Sequence, residues 1–102
     1  MPMLHIVNKS PFERDSLKTC IRLAMPGSTV LLTEDGVYGA IKGSAFSDAV
    51  SKSMKETSFY ALGPDLKARG VTEDKMIDGI KVVDYSGFVN LVIENDNLQS
   101  WL

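Results

Sequence analysis

Short apolar runs alternate with polar, turn-forming stretches along this chain. Residues 3–7 (MLHIV), 29–32 (TVLL), 58–62 (SFYAL) and 81–83 (KVV, with Ile80 before it) are rich in aliphatic and β-branched types. Each is too short for a helix and predicts a strand. The sharpest boundary lies in residues 28–40, STVLLTEDGVYGA. There Val30, Leu31 and Leu32 give way abruptly to Thr33, Glu34, Asp35 and Gly36. A buried parallel strand looks like this where its carboxyl end enters a loop. In open α/β sheets that edge is where sites are built.

The segments between the strands carry helical spacing. Asp15 or Ser16 can cap a helix running to about Ala24 or Met25, where Pro26 and Gly27 stop it. Its apolar stripe is Leu17, Ile21 and Ala24, with Cys20 on the flank and Arg14, Lys18 and Arg22 opposite. Residues 37–41 predict a short helical piece, and residues 45–54 a second with Phe46, Ala49 and Val50 on one side. Gly63–Pro64 ends the third strand, and residues 65–69 form a short helix closed by Gly70. Asp84 caps a helix reaching about Glu94, which residues 95–97 end. On it Tyr85, Phe88, Val89 and Val92 form one stripe with Leu91 and Ile93 beside it, an arc wider than one sheet face requires. Core packing and burial against another chain both account for that width. Residues 98–102 (LQSWL) place a tryptophan in an exposed tail that can serve as an edge strand. Strands alternating with helices predict a small doubly wound α/β domain, its sheet mostly parallel with four to five strands.

Length and charge narrow the function. At 102 residues the chain suits one domain, residues 1–102. A net charge of −2 without a basic run argues against a nucleic-acid surface. No apolar run approaches the ~18 residues of a membrane span, and residues 1–7 lack the pattern of a signal peptide. One cysteine excludes an internal disulfide and fits a reducing cytoplasm. One cysteine and one histidine cannot close a structural zinc site, so no metal is expected. Nucleotide-phosphate motifs are missing, so no cofactor is expected either.

Cys20 is the candidate nucleophile. A reactive thiolate needs a helix N-terminus or a nearby cation, and its helical neighbours Ser16, Leu17, Leu23 and Ala24 supply none. The residues leave two readings: a small hydrophobe at the rim of the core, or a thiol for which a partner chain supplies the missing cation or accepts a sulfur atom. His5 shares a strand face with Met3 and Val7 and reads as structural, since no acid or nucleophile is tied to it by spacing. Glu34 and Asp35 are a carboxylate pair by position, but adjacent turn residues point apart, which favours a solvated turn.

Residues 3–11 (MLHIVNKSP), 31–40 (LLTEDGVYGA), 60–70 (YALGPDLKARG) and 83–92 (VDYSGFVNLV), with a tail holding tryptophan, resemble the DsrH/TusB family over nearly the whole chain. Each motif alone is weak; in this order they are fairly specific. The resemblance implies a DsrE-like fold. It also implies a subunit of a cytoplasmic sulfurtransferase complex, a heterohexamer with DsrE/TusD-type and DsrF/TusC-type chains. The principal persulfide cysteine then lies on the DsrE/TusD-type subunit. A cysteine in the first helix is associated with DsrH-type members, and Cys20 matches that position. That match favours the sulfur-oxidation branch, with a DsrC-type carrier downstream and Cys20 as a candidate persulfide carrier. The alternatives are a TusB-like subunit of the tRNA 2-thiouridine relay, with a TusE-type carrier, or a structural subunit with an inert cysteine. Outside the resemblance stands a stand-alone module binding a ligand near residues 34–36.

Overall fold

The computed structural model describes residues 3–95 and 97–101. Strands β1 (Met3–Val7), β2 (Thr29–Leu32), β3 (Ser58–Leu62), β4 (Lys81–Val83) and β5 (Asn97–Trp101) form one sheet in the order β4-β3-β2-β1-β5. Every pairing in it is parallel. The expected α/β fold is present, with five strands. The predicted tail strand is β5, one residue earlier than expected; Leu102 and Asp96 lie outside the described residues.

The helices are α1 (Ser16–Leu23), α2 (Ser47–Ser53), α3 (Gly63–Ala68) and α4 (Tyr85–Glu94), with 3-10 helices at Glu34–Ala40 and Glu73–Lys75. From β1 to β4 the chain steps one way across the sheet; after β4 it must return past β1 to place β5. Crossovers between parallel strands keep one hand, so reversing direction sends the connecting helix to the opposite face. The cores show this. Val7, Val30, Leu32, Phe59 and Ala61 pack with Leu17 and Cys20 of α1, Val37 and Ala40 of the first 3-10 helix, Val50 of α2 and Leu66 of α3. On the other face Leu4 and Leu31 pack with Leu91 of α4, beside half-buried Ile6, Tyr60, Val83 and Phe88.

Several boundaries differ from the sequence reading, each for a local reason. Helix α1 ends at Leu23, and its buried residues are Leu17 and Cys20, with Ile21 and Ala24 only half-buried. Cys20 is therefore central to the stripe, not on its flank. Gly63–Pro64 opens α3 instead of breaking the chain; proline at a first helical turn forfeits no hydrogen bond. The first 3-10 helix begins at Glu34, earlier than the apolar residues suggested, because Glu34 and Asp35 themselves enter it. In α2 Ala49 is exposed and only Val50 is buried. Asp84 caps α4 as expected, its carboxylate accepting from the Gly87 N–H at 2.8 Å, and the Asn95 side chain donates to the Leu91 carbonyl at 2.7 Å at the other end. The stripe Tyr85, Val89, Val92 is not the buried one: these side chains and Ile93 are exposed, and Leu91 is the anchor.

The TEDG turn is held by a close backbone approach. The Val7 carbonyl at the end of β1 accepts from the Thr33 N–H at 3.0 Å. Gly36 then passes directly beneath it, where a Cβ would lie 2.0 Å from that carbonyl oxygen. At Gly39 the one tight contact of a Cβ would be the Leu17 Cδ2, at 2.6 Å. A side-chain methyl can rotate away, whereas a carbonyl bonded into the sheet cannot. Gly36→Ala is expected to cost about 3 kcal/mol or more, at the upper end of overpacking penalties, and Gly39→Ala about 1–2 kcal/mol. Urea denaturation of the two variants checks this; an equal or reversed order would show that the Val7 approach is not the tight point.

Candidate functional site

Cys20, the sequence candidate, lies wholly inside the larger core with 0% exposure. It shares that cluster with Val7, Leu17, Val30, Val37 and Val50. Its carbonyl accepts the Ala24 N–H at 2.8 Å, which closes the last turn of α1. Desolvation by this apolar shell pushes the thiol up to about 12. No cation opposes that effect, so within this chain the sulfur is a neutral thiol at physiological pH.

Glu34 and Asp35 do not form a carboxylate pair. Asp35 accepts from the Arg69 Nε at 2.9 Å. The Glu34 N–H donates to the Asp65 carboxylate at 2.7 Å, and Arg69 also donates to the Asp65 carbonyl at 3.3 Å. Glu34 adopts φ 48°, a left-handed conformation uncommon outside glycine. The carboxyl edge of β2 and β3 is thus clasped by Arg69 to the start of α3. Asp35 and Asp65 join the 3-10 helix to α3 through their carboxylates, while Glu34 contributes its backbone N–H.

Sequence reasoning missed the contact between the only histidine and the only tryptophan. The Trp101 indole N–H donates to His5 Nδ1 at 3.0 Å, their rings 6.0 Å apart and tilted by 37°. The available signal was positional. Residues 3–7 and the 98–102 tail both read as strands, and pairing them side by side puts His5 and Trp101 on one face. The register confirms it, His5 opposite Gln99 and Val7 opposite Trp101. Because Nδ1 accepts, the neutral ring carries its proton on Nε2. Burial holds the His5 pKa below its usual value.

Among the described residues no group of three or more His, Cys, Asp or Glu side chains is arranged to hold a metal ion. Nor is any helix among them long and apolar enough to cross a membrane.

Two titrations follow from these environments. Cys20 in the folded chain is expected to react with iodoacetamide at pH 8 about a thousandfold more slowly than an ordinary thiol, and at the ordinary rate once unfolded. Its raised pKa favours the folded state below pH 9 and stops doing so as pH climbs towards 12. Rapid labelling of the native chain would show that α1 opens. His5 has the opposite sign: its lowered pKa leaves stability intact above 6.5 and erodes it as pH falls below that value. Trp101 fluorescence is expected to report this, since protonated Nδ1 cannot accept the indole N–H; an apparent midpoint above 6.5 would contradict it.

Comparison with known proteins places these features. Residues 9–98 match the family model described as DsrH like protein. "Protein TusB" of Erwinia tasmaniensis is 37% identical over 99 residues, covering 97% of this chain and 100% of its own. "Protein TusB" of Pectobacterium parmentieri is 34% identical over 100 residues, again covering 97% and 100%. That of Escherichia coli K12 is 32% identical over 99 residues with the same coverage. In three dimensions the chain resembles the ychN protein from E. coli, with a TM-score of 0.82 at 15% identity over 98% of this chain and 99% of that one. It also resembles MTH1491 from Methanobacterium thermoautotrophicum, a protein of unknown function, with a TM-score of 0.75 at 20% identity over 97% and 96%. At those identities the structural likeness speaks for the fold. The sequence matches, spanning almost all of the elements described above, show that the chain belongs to the DsrH family.

Proposed function

We propose that this chain is a TusB-like subunit of the cytoplasmic sulfur relay that serves 2-thiouridine formation in tRNA. The observation that carries this reading is end-to-end similarity to chains called Protein TusB, at 32–37% identity. It supports the tRNA alternative over the sulfur-oxidation branch that Cys20 suggested. In this reading the chain assembles with TusD-type and TusC-type subunits into a heterohexamer, and a TusE-type carrier takes the sulfur onward. Persulfide chemistry needs one thiolate, which attacks the outer sulfur of a donor persulfide and releases the donor thiol. The buried, neutral Cys20 supports placing that thiolate on a partner chain, with Cys20 serving as packing.

A subunit role also accounts for α4. Tyr85 is 61% exposed and Ile93 74%, with Val89, Val92 and Leu98 of β5 exposed as well. Apolar side chains clustered on one element and left in water mark an interaction surface. A TusB-like chain covers such a face with its sister subunits.

One observation favours a second reading. A cysteine in the first helix matches DsrH-type members, so Cys20 is a persulfide carrier if partner binding exposes it. Co-expression with the TusC-type and TusD-type partners separates the readings. Cys20→Ala is expected to leave assembly and the 2-thiouridine content of tRNA unchanged, and intact mass after incubation with a persulfide donor should show no gain on this chain. A gain of about 32 Da, one sulfur, that disappears in Cys20→Ala would favour the carrier. Val89→Asp with Ile93→Asp should leave the isolated chain folded and abolish co-purification of the partners. Retained assembly would remove α4 from the interface.

A further inference from the structure

A cavity of about 200 Å³ opens on the α1 face of the sheet, at the amino ends of β1 and β2. Its floor is Met3 and His5, and its back is Ser28, just before β2. Gln99 and Trp101 wall it on the β5 side; Leu23, the last residue of α1, and Met25 just beyond it wall it on the other. This is the edge away from the TEDG turn, and it shares no residue with Cys20 or the Arg69 clasp.

One polar group in it lacks a partner, and a second offers a donor. Ser28 is 1% exposed, and its hydroxyl oxygen has no hydrogen bond among the described residues. A buried hydroxyl left unpaired is costly, so it marks a place where something else completes the bonding. His5 is 4% exposed. Its Nδ1 is occupied by Trp101, which leaves Nε2–H as the donor on the same lining. Everything else around the space is apolar or neutral: two methionines, a leucine, an indole ring and one amide. No lining residue carries a full charge, so neither a carboxylate nor an ammonium finds a counter-ion there.

The volume selects size. Drug-sized sites take roughly 300–1,000 Å³, whereas an apolar cavity of roughly 150 Å³ accommodates benzene. Thioether sulfurs and an indole favour an aromatic ring as the filling. We propose that this pocket binds a small neutral hydroxylated aromatic molecule, its ring between Met3, Met25 and Trp101 and its oxygen shared by His5 Nε2–H and the Ser28 hydroxyl. The ligand oxygen accepts from the imidazole N–H and its own O–H donates to the Ser28 hydroxyl oxygen, so the unpaired serine gains a partner. This site is independent of the relay reading.

Titration of the full-length chain with phenol tests it, read by the fluorescence of Trp101, the sole tryptophan. A ligand of this size gives affinity on the order of millimolar. Saturable binding with a one-site curve is expected, and toluene, which lacks the hydroxyl, should bind about tenfold more weakly. Ser28→Ala should reduce the preference for phenol over toluene to about threefold, because the oxygen loses one of its two partners. Met25→Ala, at a residue 67% exposed and so free of folding consequences, should weaken both probes severalfold. A linear, non-saturating response, an unchanged preference in Ser28→Ala, or no effect of Met25→Ala would each overturn the proposal.

Discussion

The arrangement depends on β1 being hydrogen-bonded along both edges. It pairs with β2 from Leu4 to Val7 and with β5 from Met3 to Val7, and both pairings are parallel. A strand in that position has no solvated edge. Leu4 enters one core and Val7 the other, both with 0% exposure. Parallel strands require crossovers over their faces, so fixing β1 in the interior also fixes where α1 and α4 must lie. The Val7 carbonyl adds the last constraint. It meets the turn after β2 so closely that only glycine fits beneath it, which anchors the 3-10 helix Glu34–Ala40 and, through Arg69, α3.

Much of this was legible in the residues. Short aliphatic runs bounded by turn chemistry identify β1 to β4 almost to the residue, because strand length and composition are local properties. The Asp84 cap was readable for the same reason: its geometry needs only residues three apart. What was not legible depended on distant partners. Cys20 looked peripheral because a helical wheel cannot know that sheet, α2 and the 3-10 helix all converge on α1. The α4 stripe left core packing and burial against another chain both open, because apolar periodicity marks a face without saying what covers it. The His5–Trp101 bond spans nearly the length of the chain, and neither residue announces the other.

The site followed the same division. The resemblance to the DsrH/TusB family, carried by motifs spread over the chain, was upheld by the family match over residues 9–98. The branch was weighed on a single side chain, Cys20, and the whole-length similarity to chains called Protein TusB weighs the other way. Burial explains why one cysteine is a poor discriminator. A thiol within an apolar shell obeys the packing rules of alanine or valine, and its position in a helix records volume as readily as reactivity.

The strand order carries a consequence for how the chain acquires this structure. β5 is the last strand in chain order, yet it lies beside the first, with Met3 opposite Asn97. Until that late segment arrives, the outer edge of β1 presents a row of unsatisfied backbone groups next to aliphatic side chains. Contacts of such long range are slow to form because loop closure precedes any reward. The nascent chain therefore passes through an interval in which a strand destined for the interior of the sheet is its most adhesive surface. Trp101, fastened to His5, is the bolt that ends that interval.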